Sequence, residues 1–211
     1  MIQNAIKVWD PLVRVFHWSL VICFTIAYLT GDEENSLHIF AGYAVLGLVV
    51  FRILWGFVGT SHARFKDFVF GPGKVIQYLK GLAGGSSERY IGHNPAGGYM
   101  VLLMLATLLV VTYTGLKVYG AEGHGPLAAN ANISVVAAAK ADEKGEEGVN
   151  GEEGGESKSN PDEEYWEELH EGATNFMLGL IVLHILGIVV SSRLHKENLV
   201  KAMITGEKNV E

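Results

Sequence analysis

Long apolar blocks separated by short polar connections dominate the pattern of hydrophobic and polar positions along the chain. Four blocks are each about as long as the roughly 20 residues that a helix needs to cross a bilayer. They run from Val13 to Thr30, from Leu37 to Gly59, from Gly98 to Tyr119 and from Gly172 to Ser192. Helices satisfy their own backbone hydrogen bonds in lipid, and no run of alternating strands indicates a barrel. The pattern predicts an all-α membrane protein, a single four-transmembrane-helix bundle over residues 1–211.

Composition agrees with a membrane protein. The 211 residues are 49% hydrophobic, and the mean hydropathy is +0.23. The first block is too long for a signal peptide and has no small-residue cleavage site. Cys23 is the single cysteine, so the sequence has no disulfide framework, no Cys cluster for a metal and no C-x-x-C-H attachment for c-type haem.

The distribution of basic residues predicts the orientation of the bundle. Twelve of the sixteen Lys and Arg residues lie in three groups: two up to Arg14, six from Arg52 to Arg89, and four from Arg193 onward. By the positive-inside rule, both termini are cytoplasmic, and the connections after the first and third helices face the periplasm. No basic patch interleaved with aromatic residues indicates nucleic-acid binding.

The connection over residues 121–160 is rich in Gly and Glu and poor in aromatic residues. Such a composition predicts a flexible, acidic periplasmic loop. It is interpreted as a solvated linker, and the alternative is an acidic docking surface for a basic partner. The stretch "NPDEEYW" predicts a helix start at Pro161 that continues into the fourth span.

Four histidines fall inside the predicted helices, where an ionisable side chain is costly and usually functional. His170 and His184 share the fourth helix, where about 21 Å of rise and about 40° of rotation separate them on one face. His17 lies near the cytoplasmic end of the first helix, and His38 opens the second helix at its outer end. The pattern predicts two layers, with His17 and His184 inside and His38 and His170 outside.

Two such layers match the needs of two haems, each with one imidazole from each of two facing helices. A single histidine would more often be explained by packing or an interhelical hydrogen bond. Arg14 and Arg52 lie near the inner ends of the first two helices. Each is a candidate to bind a haem carboxylate through two hydrogen bonds. The alternative for both is a positively charged anchor whose stem reaches the headgroups.

Other residues carry weaker signals. Gly42, Gly47, Gly172 and Gly179 permit either close helix approach or a slot for a porphyrin. His93, in "GHNPAGG", is interpreted as part of a turn that caps the third helix, with a nearby cytoplasmic quinone site as the alternative.

The motifs around these histidines resemble one known family. "RVFHW", "LHIFAGYAVLGLVVFRILWGFVG", "GHNPAGGYMVLLMLATLLVVTYTG" and the paired histidines of the fourth helix are similar to the bacterial di-haem cytochrome b561 family. This family includes the b-type cytochrome subunits of nickel-iron hydrogenases. The resemblance covers the chain except residues 121–160. It implies a four-helix bundle with two haems b in its core, and axial ligands at His17, His38, His170 and His184.

The resemblance also implies a function. It implies electron transfer across the bacterial inner membrane, between a periplasmic c-type cytochrome or hydrogenase-like protein and the quinone pool. Iron held by two imidazoles has no open position, which favours an electron-transfer subunit over a complete enzyme. Two alternatives are a stand-alone quinone-reducing oxidoreductase acting on a small donor such as superoxide, and a haem-free metal or proton transporter. The transporter is disfavoured because no Asp or Glu falls mid-span. A homodimer is left open.

Overall fold

The structure, a computed structural model, describes residues 4–31, 36–85, 88–128 and 161–210. Its elements are β1 (Asn4–Lys7), α1 (Pro11–Leu29), α2 (Ser36–Val58), a 3-10 turn (Phe65–Asp67), α3 (Pro72–Ala83), α4 (Pro95–Ala121), α5 (Pro161–Leu194), α6 (Leu199–Thr205) and β2 (Glu207–Val210). Helices α1, α2, α4 and α5 are long and apolar enough to cross a membrane, which confirms the predicted four-helix fold. Residues 129–160 of the predicted acidic loop lie outside the described residues.

Local sequence explains where the helices begin. The Asp10 carboxylate accepts a hydrogen bond from the backbone N–H of Val13 at 2.8 Å, and this caps α1. The Asn94 side chain accepts one from Gly97 at 2.7 Å, which confirms the predicted cap before the third span. Proline, whose missing N–H costs nothing at a helix start, opens four helices. The four are Pro11, Pro72, Pro95 and Pro161.

Helix α3 lies in a segment that the sequence analysis treats as a plain connection between the second and third spans. Its twelve residues, "PGKVIQYLKGLA", place Val75, Ile76, Tyr78, Leu79 and Leu82 at helical spacing on one side of the helix. Tyr78 is its buried residue, and the Tyr78 ring packs edge-on against Tyr90 with ring centroids 5.9 Å apart. This spacing is typical of an amphipathic helix, so α3 is an element that the prediction of four helices omitted.

The described residues divide into two compact units. One comprises the described residues up to Leu109 and from Phe176 onward, and the other comprises those between Val110 and Asn175. The core of the first unit draws on all four long helices. It consists of Phe16, Val45, Val49, Leu105, Leu108, Met177 and Leu180.

The two ends of the described chain meet in a small antiparallel sheet within the first unit. Strand β1 pairs with β2, with Lys7 opposite Glu207. Gly206 ends α6 with a φ of 85°, a left-handed conformation that favours glycine, and its carbonyl accepts hydrogen bonds from Val8 and Trp9. A Cβ at Gly206 would lie 2.8 Å from the Trp9 carbonyl oxygen. Both ends therefore lie on one side, as an even number of membrane crossings requires.

An ion cluster supports this sheet. Glu197 accepts a hydrogen bond from Arg89, and Lys208 Nζ lies 3.2 Å from Glu197 Oε2. The side chains of Lys208 and Glu197 are only 7% and 10% exposed. Burial alone would raise the pKa of Glu197, but the hydrogen bonds and positive charges of Arg89 and Lys208 outweigh burial and lower it.

The Glu197→Gln variant is expected to lower the free energy of opening the β1–β2 sheet by about 2 kcal/mol. Lys208 is then left without its carboxylate, while water screens the more exposed Arg89. Since folding lowers the pKa of Glu197, its stabilisation is complete above the ordinary carboxyl pKa. It is lost as pH falls through the lowered value. Hydrogen exchange at the Ile6 and Lys208 amides, corrected for intrinsic rates, measures the free energy of opening the sheet. Equal protection in wild type and variant at pH 7 would contradict the prediction.

Candidate functional site

The first unit brings His17 of α1 and His184 of α5 close to one another. Both rings are partly buried, and the two lie close enough for their charges to interact. His17 also packs edge-on against Trp18, with ring centroids 5.2 Å apart. Its Nδ1 is buried and has no hydrogen-bond partner within the described part of the chain. These are the two histidines that the sequence analysis places in one layer.

Two arginines accompany this pair in the first unit. Arg52 is 3% exposed, and its guanidinium carbon lies 5.3 Å from the centre of the Phe65 ring and 5.9 Å from that of Phe68. One of its terminal nitrogens, NH1, is buried without a partner among the described residues. Arg14 donates one hydrogen bond to the Ile204 carbonyl, but its buried Nε likewise has no partner there. Each guanidinium thus retains a buried donor suited to an anionic oxygen.

Asp10 supplies a carboxylate near Arg52, and its own hydrogen bonds keep it in place. It accepts from Trp55 Nε1 at 3.1 Å and from the Thr60 hydroxyl, in addition to Val13 N–H. Burial raises the pKa of Asp10, but the hydrogen bonds from Thr60, Val13 and Trp55 lower it below its ordinary value. Asp10 is therefore ionised at neutral pH, and its charge acts on Arg52. The two positive charges of Arg14 and Arg52 outnumber the single negative charge of Asp10.

His93 faces the same group of residues, which the sequence analysis did not predict. Asn94 is the residue that caps α4, whereas the His93 ring packs against Trp9 and Phe68, with ring centroids 4.6 Å apart in both pairs. Its Nδ1 is buried and has no partner in the described ranges. Burial, and then repulsion by neighbouring cationic groups led by Arg52, lower the pKa of His93 to about 3. The ring is therefore neutral at physiological pH.

The two histidines of the predicted outer layer belong to different units, and each is described within its own. In the first unit, His38 Nδ1–H donates to the Ala27 carbonyl at 2.8 Å. In the second, His170 Nδ1–H donates to the Val111 carbonyl at 3.0 Å and lies 3.0 Å from the Thr114 hydroxyl. A proton on Nδ1 places the lone pair on Nε2. This hydrogen-bond pattern is typical of histidines that bind a metal through Nε2.

Glycines along α2 and α5 face open space. A Cβ built at Gly42, Gly47, Gly179 or Gly187 would meet no heavy atom within 4 Å. Close helix approach, one of the two explanations offered by the sequence, would bring neighbouring atoms within that distance. A Cβ at Gly172, in the second unit, would likewise meet no heavy atom within 4 Å, so none of the four glycines singled out in the sequence lies at a close helix contact among the described residues.

The residues of the first unit fit a haem. Two histidines from facing helices can supply axial ligands, and the buried donors of Arg14 and Arg52 can satisfy haem carboxylates. Within the described ranges, no group of three or more His, Cys, Asp and Glu side chains could hold a bare metal ion.

Comparison with known proteins gives an independent result. A sequence model of the family described as prokaryotic cytochrome b561 matches residues 8–206. Three curated relatives are described as probable Ni/Fe-hydrogenase B-type cytochrome subunits. The Rhizobium leguminosarum bv. viciae protein is 26% identical over 151 residues, covering 58% of this chain and 63% of its own length. The Azotobacter vinelandii protein is 29% identical over 153 residues, which cover 58% of this chain and 62% of its own length. The Rhodobacter capsulatus protein is 28% identical over 157 residues, which cover 58% of this chain and 58% of its own length.

This chain therefore spans less than two thirds of the length of these relatives. No solved structure gives a significant match.

Proposed function

Because the chain belongs to the prokaryotic cytochrome b561 family, we propose that it carries electrons across the membrane through two b-type haems, each held between two histidines. Its four apolar helices and its family make it a multi-pass protein of the bacterial inner membrane. The observation that carries the proposal is that the first unit places His17 and His184 within electrostatic range of each other and also holds buried guanidinium donors that have no partner among the described residues.

The inner site combines ligands and anchors from three parts of the chain. His17 and His184 hold the iron from two helices, and Arg14 and Arg52 bind the carboxylates. When bound, the haem supplies a one-electron couple whose potential the axial ligands and surroundings set. The buried Arg52 charge acts in a setting of low dielectric constant, where it favours the reduced state. The surrounding apolar core excludes water from the ring.

For the second haem we propose His38 and His170 as ligands, because their depths in the helices predicted from the sequence match. The carbonyls of Ala27 and Val111 hold each ring by its Nδ1–H, which fixes the tautomer and directs Nε2 to iron. Iron held by two imidazoles would have no position open to a substrate, so the proposed role is electron transfer without transformation of a substrate at the metal.

The proposed partners are a hydrogenase-type or c-type cytochrome donor on the periplasmic side and quinone as acceptor. The hydrogenase-type donor rests on the names of the relatives, which describe b-type cytochrome subunits of Ni/Fe-hydrogenases. The acidic connection after the third helix adds negative charge that would attract a basic donor. A stand-alone quinone-reducing oxidoreductase is the alternative, and recovery of the native complex distinguishes it by showing whether a donor protein is attached.

Gly115→Ala is expected to disturb the outer haem and spare the inner one. A Cβ at Gly115 would lie 3.0 Å from His170 Cε1, so the imidazole must shift by a few tenths of an ångström. We expect a measurable change in the potential or ligand field of one haem only. Gly73→Ala in α3, where a Cβ meets nothing within 4 Å, is the matched control. Potentiometric titration of both variants checks this, and unchanged potentials in Gly115→Ala would contradict it.

Reconstituted vesicles test the proposed function. Ferricyanide is enclosed in vesicles that contain the protein, and a membrane-impermeant reductant is added outside. We expect enclosed ferricyanide to be reduced by wild type and much more slowly by His184→Ala. Equal rates in wild type, variant and protein-free vesicles would overturn the proposal. Addition of a quinol to the solubilised protein tests the quinone link separately, through the haem absorbance.

A further inference from the structure

One buried aromatic ring joins two polar groups in the first unit. Phe68 is 1% exposed, and its ring centre lies 5.9 Å from the Arg52 guanidinium carbon and 4.6 Å from the centre of the His93 ring. Trp9 packs against His93 as well, at 4.6 Å between ring centroids. Arg52 and His93 come from α2 and from the segment before α4, so the fold brings them together.

Both groups carry a buried nitrogen that no described residue satisfies. Arg52 NH1 and His93 Nδ1 have no hydrogen-bond partner among the residues that the structure describes. A buried polar atom without a hydrogen-bond partner destabilises the fold. Two such atoms against one aromatic ring indicate a polar ligand that both of them bind.

The charges around His93 determine the chemistry of that ligand. Arg52, Lys208 and His184 all act electrostatically on His93. The charge of Lys208 is balanced by Glu197, whereas Arg52 retains its buried donor. An anion with more than one acceptor oxygen suits this surrounding, and a carboxylate is such an anion.

The parts that position His93 are rigid. A Cβ at Gly98 would lie 2.3 Å from the Phe68 carbonyl oxygen, so α4 holds the backbone of Phe68 tightly. The Asn94 cap fixes the start of α4 one residue after His93. The imidazole is therefore held in place before any ligand binds, which is how binding sites reduce the entropy cost of binding.

We propose that His93 is a further cofactor-binding residue, whose Nδ1–H shares with Arg52 a carboxylate of the inner haem. The inference rests on the proposed function, because it takes the inner haem as the source of the carboxylate. His184, the proposed ligand of that haem, is already among the groups that act on His93. His93 thereby lowers the effective negative charge on the haem carboxylate and favours the reduced state.

Two variants separate hydrogen bonding from packing. His93→Phe keeps the aromatic contacts with Trp9 and Phe68 but removes the donor. His93→Gln keeps an N–H donor and removes the aromatic ring. We expect His93→Phe to shift the equilibrium of the electron between the two haems at least threefold away from the inner haem, which is roughly 28 mV for a one-electron couple. We expect the electron equilibrium in His93→Gln to stay close to that of the wild type.

Potentiometric titration and redox-difference infrared spectra with carbon-13 in the haem carboxylates give the readouts. His93→Phe should move the labelled carboxylate band of the inner haem, and His93→Gln should leave it near the wild-type position. Wild-type potentials and an unmoved band in His93→Phe would overturn the inference, and so would a shift seen only in His93→Gln. A wild-type protein without haem would instead refute the proposed function, so the two failures are distinguishable.

Discussion

Replacement of His17 or His184 by alanine is expected to remove the inner haem completely and to leave the outer haem in place. Each variant removes one of the two ligands that α1 and α5 supply to one iron. A haem b held by one imidazole and two guanidinium contacts has lost its strongest protein bond, and we expect it to be absent after purification. Haem content should therefore fall to half, and one of two redox transitions should vanish.

Variants of the two outer-layer histidines are expected to give the opposite result. His38→Ala and His170→Ala should remove the transition that His17→Ala leaves behind. His124→Ala, in a ring that stacks on Tyr119 outside the proposed sites, is the matched control and should keep both haems. The pairing would be wrong if His17→Ala and His38→Ala removed the same transition.

Arg52→Leu is expected to lower the potential of the inner haem strongly. The variant removes a buried positive charge, and loss of positive charge stabilises the more positive, oxidised iron. At an effective dielectric constant near 20, two unit charges about 4 Å apart interact by about 4 kcal/mol, and the energy falls in proportion to distance, so we expect a shift of several tens of millivolts. Potentiometric titration of the α-band absorbance measures it, and the outer haem should change little.

Arg52→Lys is the matched control, because it keeps the charge and removes the planar pair of donors. We expect it to shift the potential less than Arg52→Leu does. If Arg52→Leu left both potentials at their wild-type values, Arg52 would be a structural residue held by Phe65 and Phe68 and by the charge of Asp10 alone.

The four long helices could be predicted because a bilayer sets their length. Pro161 additionally indicated where the fourth helix begins. The pairing of His17 with His184 followed from depth, since residues near one surface of the membrane can meet whichever helices carry them. The buried faces could not be predicted. Spans that are apolar all round carry no periodic signal for the side that packs against protein.

The contacts that the two chain ends make within the first unit could not be predicted from the sequence, for a different reason. Its contacts join residues far apart in the chain, such as Lys7 with Glu207 and Trp9 with His93. Strands of four residues give no reliable alternation. Helix α3 was omitted although its apolar residues have the spacing of an amphipathic helix. His93 stands next to a cap, and this local explanation concealed its contacts with Trp9 and Phe68. Only the folded structure shows that His93 and Arg52 both pack against the ring of Phe68.

The haem-to-protein ratio of the purified wild-type chain tests the central claim most directly. Pyridine haemochrome analysis against quantitative amino-acid analysis measures the ratio, and electron paramagnetic resonance of the oxidised protein reports the ligands. The account predicts two b-type haems per chain, both low-spin with two imidazole ligands. One haem per chain, none, or a high-spin iron with an open position would contradict it.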